Sequence, residues 1–367
     1  DLSLGKIMRK NLRILKILYK ISGFRFKYVG IIIFRIFVST IMHITFFLDS
    51  IFFPRVKLQK LDNPVFLIGH LRSGTTFVHR FMVKNCNDLK GFALWEMVFP
   101  SLTMRKIIKP VLNMINNISF DAVYDPKIHK TSLRSMETDD IALSFRFFDG
   151  LLSWIYFYCW EEFESDEQFE KELIKISRQE KFVKYLKSVY QKNVFKTGRR
   201  MFSKSFFLLF NIDEVERVFE NPAILFIIRD PKETVPSMMS LEKKVQESLN
   251  NFSRQPQHLQ ERYFKNLYNT SLVYYREFHE VVQKKSNDRN VILITHRQLM
   301  TDFDNTFEKI VLTLKIKKDD ALLKALKEQS QKQQDFKTEH IYSLEQFGLT
   351  EQQIENDFAF IYENYDV

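Results

Sequence analysis

The segment Gly69-His70-Leu71-Arg72-Ser73-Gly74-Thr75-Thr76 holds the residue types and spacing best suited to chemistry in this chain. It follows the apolar run Pro64 to Ile68 and leads into Phe77 to Lys84, which reads as a helix. A strand, a glycine-bounded loop and a helix start together form an anion cradle, because loop amides and the positive helix end converge on one point. Two glycines separated by four residues is the spacing of a nucleotide phosphate loop, but Thr75-Thr76 stands where such loops carry Lys followed by Ser or Thr. That lysine and hydroxyl, with magnesium, handle a γ-phosphate. Here the side-chain charge comes from Arg72, so the expected ligand is a phosphorylated nucleotide handled in another way.

A second anion site follows the apolar run Ala223 to Ile228, which ends in Arg229-Asp230-Pro231. The proline fixes a backbone angle suited to a helix start, so this too reads as a strand-to-helix junction. Ser237 lies eight residues after Arg229, about two helical turns along. A guanidinium and a hydroxyl so placed can close on one phosphate. Ser240 competes with Ser237 at a less suitable spacing. Alone, Arg229-Asp230 reads more readily as an ion pair at a strand end; the loop at 69–76 reverses that and favours a phosphate site.

Taken together, Pro64 through Thr76 and Arg229 through Ser237 resemble the two cofactor motifs of sulfotransferases that use 3′-phosphoadenosine-5′-phosphosulfate (PAPS). The resemblance runs from about Leu61 to the carboxyl end, and Tyr342 to Gly348 resembles a carboxy-terminal stretch of the bacterial-type branch. It implies an α/β, P-loop-type three-layer fold, with a central parallel sheet flanked by helices. It also implies that loop amides with Arg72, Ser73, Gly74, Thr75 and Thr76 hold the 5′-phosphosulfate, while Arg229 and Ser237 hold the 3′-phosphate that distinguishes PAPS from ATP. The sulfuryl group then passes in line to an acceptor hydroxyl or amine, and no metal is expected. Lys204 is the residue expected to stabilise the departing group. The histidine base that often follows this lysine is missing, since Ser205 to Phe210 is apolar. The base is therefore expected to be a carboxylate, Glu96 first and the cluster Glu137 to Asp140 second. His70 reads as a positioning residue; His129, His296 and His340 have no discriminating context. Two other readings stay open: a sulfotransferase-like nucleotide-binding protein with impaired catalysis, and a P-loop kinase or NTPase.

The elements that must carry these residues follow from hydrophobic pattern. From Leu61 onward short apolar runs alternate with longer periodic segments, the pattern of a parallel sheet covered by helices. Strands are expected at Val65–Ile68, Ala223–Ile228 and Val291–Thr295. Helices are expected at Asp213–Glu220, Gln260–Lys285, Asn305–Leu314 and Asp319–Gln329. No repeat and no Gly/Ser-rich linker divides the body, so residues 61–367 read as one catalytic domain and residues 1–60 as an amino-terminal arm. The apolar stretch Leu151 to Trp160 is either core or acceptor-pocket lining.

Charge separates the arm from the body. Twelve of the 55 Lys and Arg and two of the 45 Asp and Glu fall in residues 1–60, which leaves 43 of each for the rest. A neutral body argues against nucleic acid as a partner. Lys6, Arg9, Lys10, Arg13, Lys16 and Lys20 share one helical face, opposite Leu4, Ile7, Leu15 and Leu18, which suits an anionic membrane surface. Tyr28 to Pro54 is very apolar, yet its longest run without a full charge, Ile36 to Leu48, is 13 residues, short of the ~20 that span a bilayer. Arg35 in mid-span costs roughly 2.5–3.5 kcal/mol on insertion scales. A monotopic anchor therefore fits Tyr28 to Pro54 better than a transmembrane helix, with helices packed on the body as the alternative. The expected location is cytoplasmic, peripheral on the cytoplasmic face of a membrane, with a hydroxylated lipid, sterol or lipid-linked sugar as acceptor. No small-residue cleavage site follows the apolar run, which argues against a cleaved secretory signal. Cys86 and Cys159 make no disulfide framework, consistent with a reducing compartment. The abundance of Phe, with 37 residues, reads equally well as codon bias. Nothing in the sequence sets an oligomeric state.

Overall fold

Strand β1 (Val65–Gly69) lies at the centre of a five-stranded sheet with β2 (Leu89–Lys90), β5 (Arg200–Lys204), β6 (Ala223–Ile228) and β7 (Val291–Thr295), in the order β2-β5-β1-β6-β7. Every pairing in it is parallel. A short antiparallel pair, β3 (Phe92–Ala93) with β4 (Met136–Glu137), stands apart. This computed structural model describes residues 4–23, 26–112, 136–137, 143, 150–334 and 344–367.

All residues of β1 and β6 are buried, as happens when helices cover both faces of a parallel sheet. Alternation along the strands then feeds two cores. Phe66, Ile68, Ile224, Phe226 and Ile228 enter the larger one, while Val65, Leu67, Ala223, Leu225 and Ile227 enter the other. The helices that bear on the site and the arm are, in chain order, α1 (Leu4–Ser22), α2 (Phe26–Phe52), α3 (Thr75–Asn85), the short α4 (Leu94–Val98) and α5 (Leu102–Ile108), α6 (Gly150–Tyr156), α7 (Glu180–Val194), α8 (Ile212–Val218), α9 (Pro231–Asn250), α10 (Gln257–Lys285), α11 (His296–Thr301), α12 (Phe303–Thr313) and α13 (Asp320–Gln334); further helices run over Asp166–Ser177, Glu351–Asp357 and Ala359–Tyr362. Helices α3 and α12 cover one face; α7, α9 and α10 pack on the other. The three-layer α/β architecture is the expected one.

The three expected strands are observed, β1 one residue longer than read. Expected helices at 77–84, 213–220, 260–285, 305–314 and 319–329 appear as α3, α8, α10, α12 and α13 with ends shifted by up to a few residues. Strand β5 was not expected, because Arg199, Arg200 and Lys204 bracket only three residues between them. The stretch Leu151 to Trp160 supplies core: Trp154, Tyr158, Cys159 and Trp160 are all buried, and the indole of Trp154 donates to Thr270 Oγ1 at 2.9 Å.

The arm is fastened to the body. Ile14, Ile17, Leu18 and Ile21 recur at three- and four-residue steps and are buried in the larger core. The Arg13 guanidinium pairs with Glu161 and Glu172 and lies 4.6 Å from the Tyr158 ring centroid. The apolar edge of α1 at Leu15 and Leu18, read from the sequence as membrane-facing, therefore packs on the body. Helix α2 is by length and composition able to cross a membrane. Its one acid, Asp49, is buried: it accepts from the Leu102 and Thr103 N–H groups at 3.1 and 2.8 Å, and from the Ser101 and Thr103 hydroxyls at 2.9 and 2.8 Å. It thus satisfies the open donors at the start of α5 and complements their dipole. Asp49→Ala is expected to destabilise the fold by about 3 kcal/mol, since several buried donors lose a charged acceptor at once. Urea unfolding checks this; a change below about 0.5 kcal/mol, the range of a surface substitution, contradicts it.

Candidate functional site

Four neighbouring strands deliver the candidate residues at their carboxyl ends, where open α/β sheets bind ligands. Lys204 is the last residue of β5, the loop 70–74 leaves β1, Arg229 follows β6, and His296 follows β7. Register fixes their relative height: Leu67 is level with Lys204, Gly69 with Ile227, and Ile228 with Thr295.

The loop has little room for other sequences. A Cβ on Gly69 would stand 2.4 Å from the Ile227 carbonyl oxygen. Gly74, at φ +83°, ends the turn in a conformation costly for residues with a side chain, and a Cβ there would meet His296 Cδ2 at 2.8 Å. Arg72 also has positive φ, at 73°, a local strain that neighbouring contacts must hold. The Arg229 guanidinium donates from Nη1 to the Arg72 carbonyl at 3.1 Å, and Arg72 Nε donates to Ser237 Oγ at 2.9 Å. The two anion motifs are thereby one structure. Ser73 is fully buried and its hydroxyl donates back to the His70 carbonyl at 2.7 Å, so it shapes the turn. With no side-chain cap on Gly74, the first-turn N–H groups of Thr75 and Thr76 lack an intrahelical carbonyl to bond.

Lys204 reaches this helix start from the next strand. Its buried side chain donates from Nζ to Thr76 Oγ1 at 2.9 Å. His79, one turn along α3, lies with Nε2 3.1 Å from the Phe202 carbonyl and so ties α3 to β5. After Lys204 the chain turns at once into buried apolar structure, Phe206 to Phe210, which offers no base.

The α9 start is equally constrained. Asp230 caps it by accepting from the Lys232 N–H at 2.8 Å and also accepts from the Tyr362 hydroxyl at 2.8 Å. Tyr275 donates to the Arg229 carbonyl at 2.8 Å, and its oxygen lies 2.7 Å from the Thr234 hydroxyl. Glu233, one turn on, pairs with Arg229.

Glu96 belongs to neither hydrogen-bonded set. It is the third residue of α4, where Oε2 accepts from the Ala93 N–H at 2.9 Å. Oε1 lies 3.3 Å from Lys90 Nζ and 3.6 Å from Arg105 Nη1. The Glu137 side chain, residues 138–140, His129, His340 and the Tyr342 end of the carboxy-terminal stretch lie outside the described residues. His70 is buried against Tyr274 and Tyr275, with Nδ1 2.8 Å from the Leu71 carbonyl and Nε2 3.2 Å from Ser271 Oγ. His296 is the site neighbour that residue patterns did not single out. Its only signal was its place immediately after an expected strand.

Burial sets the protonation of these imidazoles. It lowers His70 to about 4 and His79 to about 3; His296 is lowered to about 4 by burial and then by the Arg229 charge. Each binds a proton more weakly folded than unfolded, so its contribution is intact above about pH 6.5 and is lost as pH falls toward 4. Thermal unfolding followed across that window is expected to show stability falling by up to roughly 1.4 kcal/mol per pH unit for each such group. A flat profile contradicts it.

The chain matches the model of the sulfotransferase family over residues 64–320. No curated protein matches it. Among solved structures, sulfotransferase STF1 from Mycobacterium tuberculosis aligns over 96% of this chain and 92% of its own, with a TM-score of 0.70 at 15% identity. Sulfotransferase STF9 from Mycobacterium avium aligns over 87% of this chain and 80% of its own, with a TM-score of 0.65 at 15% identity. These structural likenesses bear on the fold. With the family match over most of its body, the chain belongs to the sulfotransferase family, whose general chemistry is sulfuryl transfer.

Proposed function

We infer that this protein moves a sulfuryl group from PAPS to an acceptor hydroxyl by in-line transfer. The observation that carries this reading is the junction of the two anion motifs, Arg72 to Ser237 and Arg229 to the Arg72 carbonyl. A donor with a 5′-phosphosulfate and a 3′-phosphate needs two anion sites on one surface, and the residues present fit it. The loop amides with Arg72, Gly74, Thr75 and Thr76 would hold the 5′ group, with Ser73 shaping the turn; Arg229 and Ser237 would hold the 3′-phosphate. Bound there, PAPS supplies an activated sulfuryl group, and transfer leaves 3′,5′-adenosine bisphosphate. Lys204 presents a positive charge at the helix start, where charge develops on the departing oxygen.

Glu96 is the proposed proton acceptor. A carboxylate has about four acceptor positions, so its three partners leave one for an acceptor hydroxyl. Glu96→Gln keeps the shape of the α4 cap and removes the charge. It is expected to lower kcat about a hundredfold, the lower end of general-base catalysis, with nucleotide binding unchanged. A drop in unfolding temperature with kcat unchanged makes Glu96 scaffold only and removes it as the base.

In this reading residues 61–367 form the sulfotransferase domain and residues 1–60 a membrane-associating arm, on the cytoplasmic face. The acceptor class is then a hydroxylated lipid, sterol or lipid-linked sugar. The test is release of 3′,5′-adenosine bisphosphate from PAPS with membrane lipid extract and with soluble sugars. Faster release with lipid supports the acceptor class; equal release removes it, and no release with either removes the transfer itself.

A further inference from the structure

Helix α2 is docked on one side and bare on the other. Met42, Thr45 and Asp49 are buried against the body. On the opposite face Ile33, Phe37, Ile44, Phe47 and Ile51 recur at three-, four- and seven-residue steps, and all are exposed. Phe37 and Phe47 are 60% and 66% exposed. Scattered exposed apolar residues need no explanation, but a continuous row of large ones marks an interaction surface. The polar groups on this row are satisfied within the helix: Thr40 Oγ1 donates to the Ile36 carbonyl at 2.9 Å, and His43 Nδ1 lies 2.7 Å from the Ser39 carbonyl. Such self-satisfaction is what an apolar solvent demands of a helix.

Basic residues gather at one end of the row. Arg55 and Lys57 follow α2 in an exposed turn. Lys106, exposed on α5, lies 4.8 Å from the Phe53 ring centroid, and exposed Lys109 ends that helix. Exposed Ile107 sits between them. Apolar row and basic end together complement one leaflet of an anionic bilayer, with acyl chains against the first and headgroups against the second. The Asp49 contacts with α5 pin the helix to the body, so the fit is to a helix lying along the surface.

We propose that the exposed face of α2, with Ile107, enters one leaflet of an anionic membrane, and that Lys57, Lys106 and Lys109 bind its headgroups. This rests on the reading of the arm as membrane-associating, keeps the contact at α2, assigns it to one face, and replaces α1 with α5. The full chain is sedimented with vesicles of phosphatidylcholine alone, or mixed with phosphatidylglycerol, at low and high salt. Wild type is expected to bind the mixed vesicles and to weaken with salt. Phe37→Ser with Phe47→Ser is expected to lose binding about tenfold or more. Lys106→Gln with Lys109→Gln is expected to lose about fivefold per lysine on mixed vesicles. Binding of 3′,5′-adenosine bisphosphate by all variants serves as the check on folding and is expected to be unchanged. Equal vesicle binding by wild type and both variants overturns the assigned surface while the membrane reading survives. Absence of wild-type binding overturns both and leaves the nucleotide site untouched. Wild type that self-associates without lipid, but not after Phe37→Ser with Phe47→Ser, makes the face a contact between copies and overturns the proposal.

Discussion

Arg229→Ala is expected to weaken 3′,5′-adenosine bisphosphate binding by about 10²- to 10³-fold, the cost of removing one partner of a desolvated charged hydrogen-bond pair. The reason is geometric as well as electrostatic. Arg229 emerges from β6 beside α9, which carries Ser237, and its Nη1 also holds the Arg72 carbonyl. Its removal takes away the proposed phosphate donor and a support for the positive-φ turn at Arg72. The first loss concerns only ligands with a 3′-phosphate; the second touches any nucleotide. 5′-AMP affinity is therefore expected to change by only a few-fold, a small fraction of the 3′-phosphate term. Isothermal calorimetry with both ligands separates the two. Equal losses for both place Arg229 in loop support and remove it from 3′-phosphate recognition.

Lys204→Ala is expected to lower kcat by about 10²- to 10³-fold, the usual cost of removing one preorganised charge at a transition state, and to change KM for PAPS far less. Lys204 Nζ sits on Thr76 Oγ1, at the start of α3, where the helix dipole already favours an anion. An ammonium there gains most from the extra charge that appears as the sulfuryl bond breaks. Single-turnover kinetics, which isolate chemistry from product release, are the appropriate measurement. Parallel loss of affinity and rate makes Lys204 a ground-state contact.

The legible parts of this chain share a cause. Val65 to Ile68 and Ala223 to Ile228 are buried on both faces, so they read as unbroken apolar runs, and the phosphate motifs that follow them are local in sequence. Strand β5 pairs with β1 as β6 does, but Arg200 and Lys204 put charge at both of its ends and break the apolar run that would have marked it. Asp49 looked like an interruption in an apolar helix, and its role depends on α5, more than fifty residues later in the chain. The α1 edge was legible as amphipathic, but no pattern in α1 says whether a lipid or Trp160 and its neighbours will cover it. Glu96 was legible as an acid near the first helix; its contacts with Lys90 and Arg105 follow from turns that periodicity does not resolve. His296 comes to Gly74 only because β7 and β1 lie two places apart in the sheet.

The central claim is that one site joins a 5′ cradle to a 3′-phosphate clamp. Calorimetry of 3′,5′-adenosine bisphosphate against ATP with magnesium, on wild type and Arg229→Ala, tests it most directly. Tight binding of the bisphosphate without metal, weak binding of ATP, and loss of that preference in the variant are expected. Equal or tighter binding of ATP with magnesium, indifferent to Arg229, contradicts it and makes the loop at 69–76 that of a nucleotide triphosphatase.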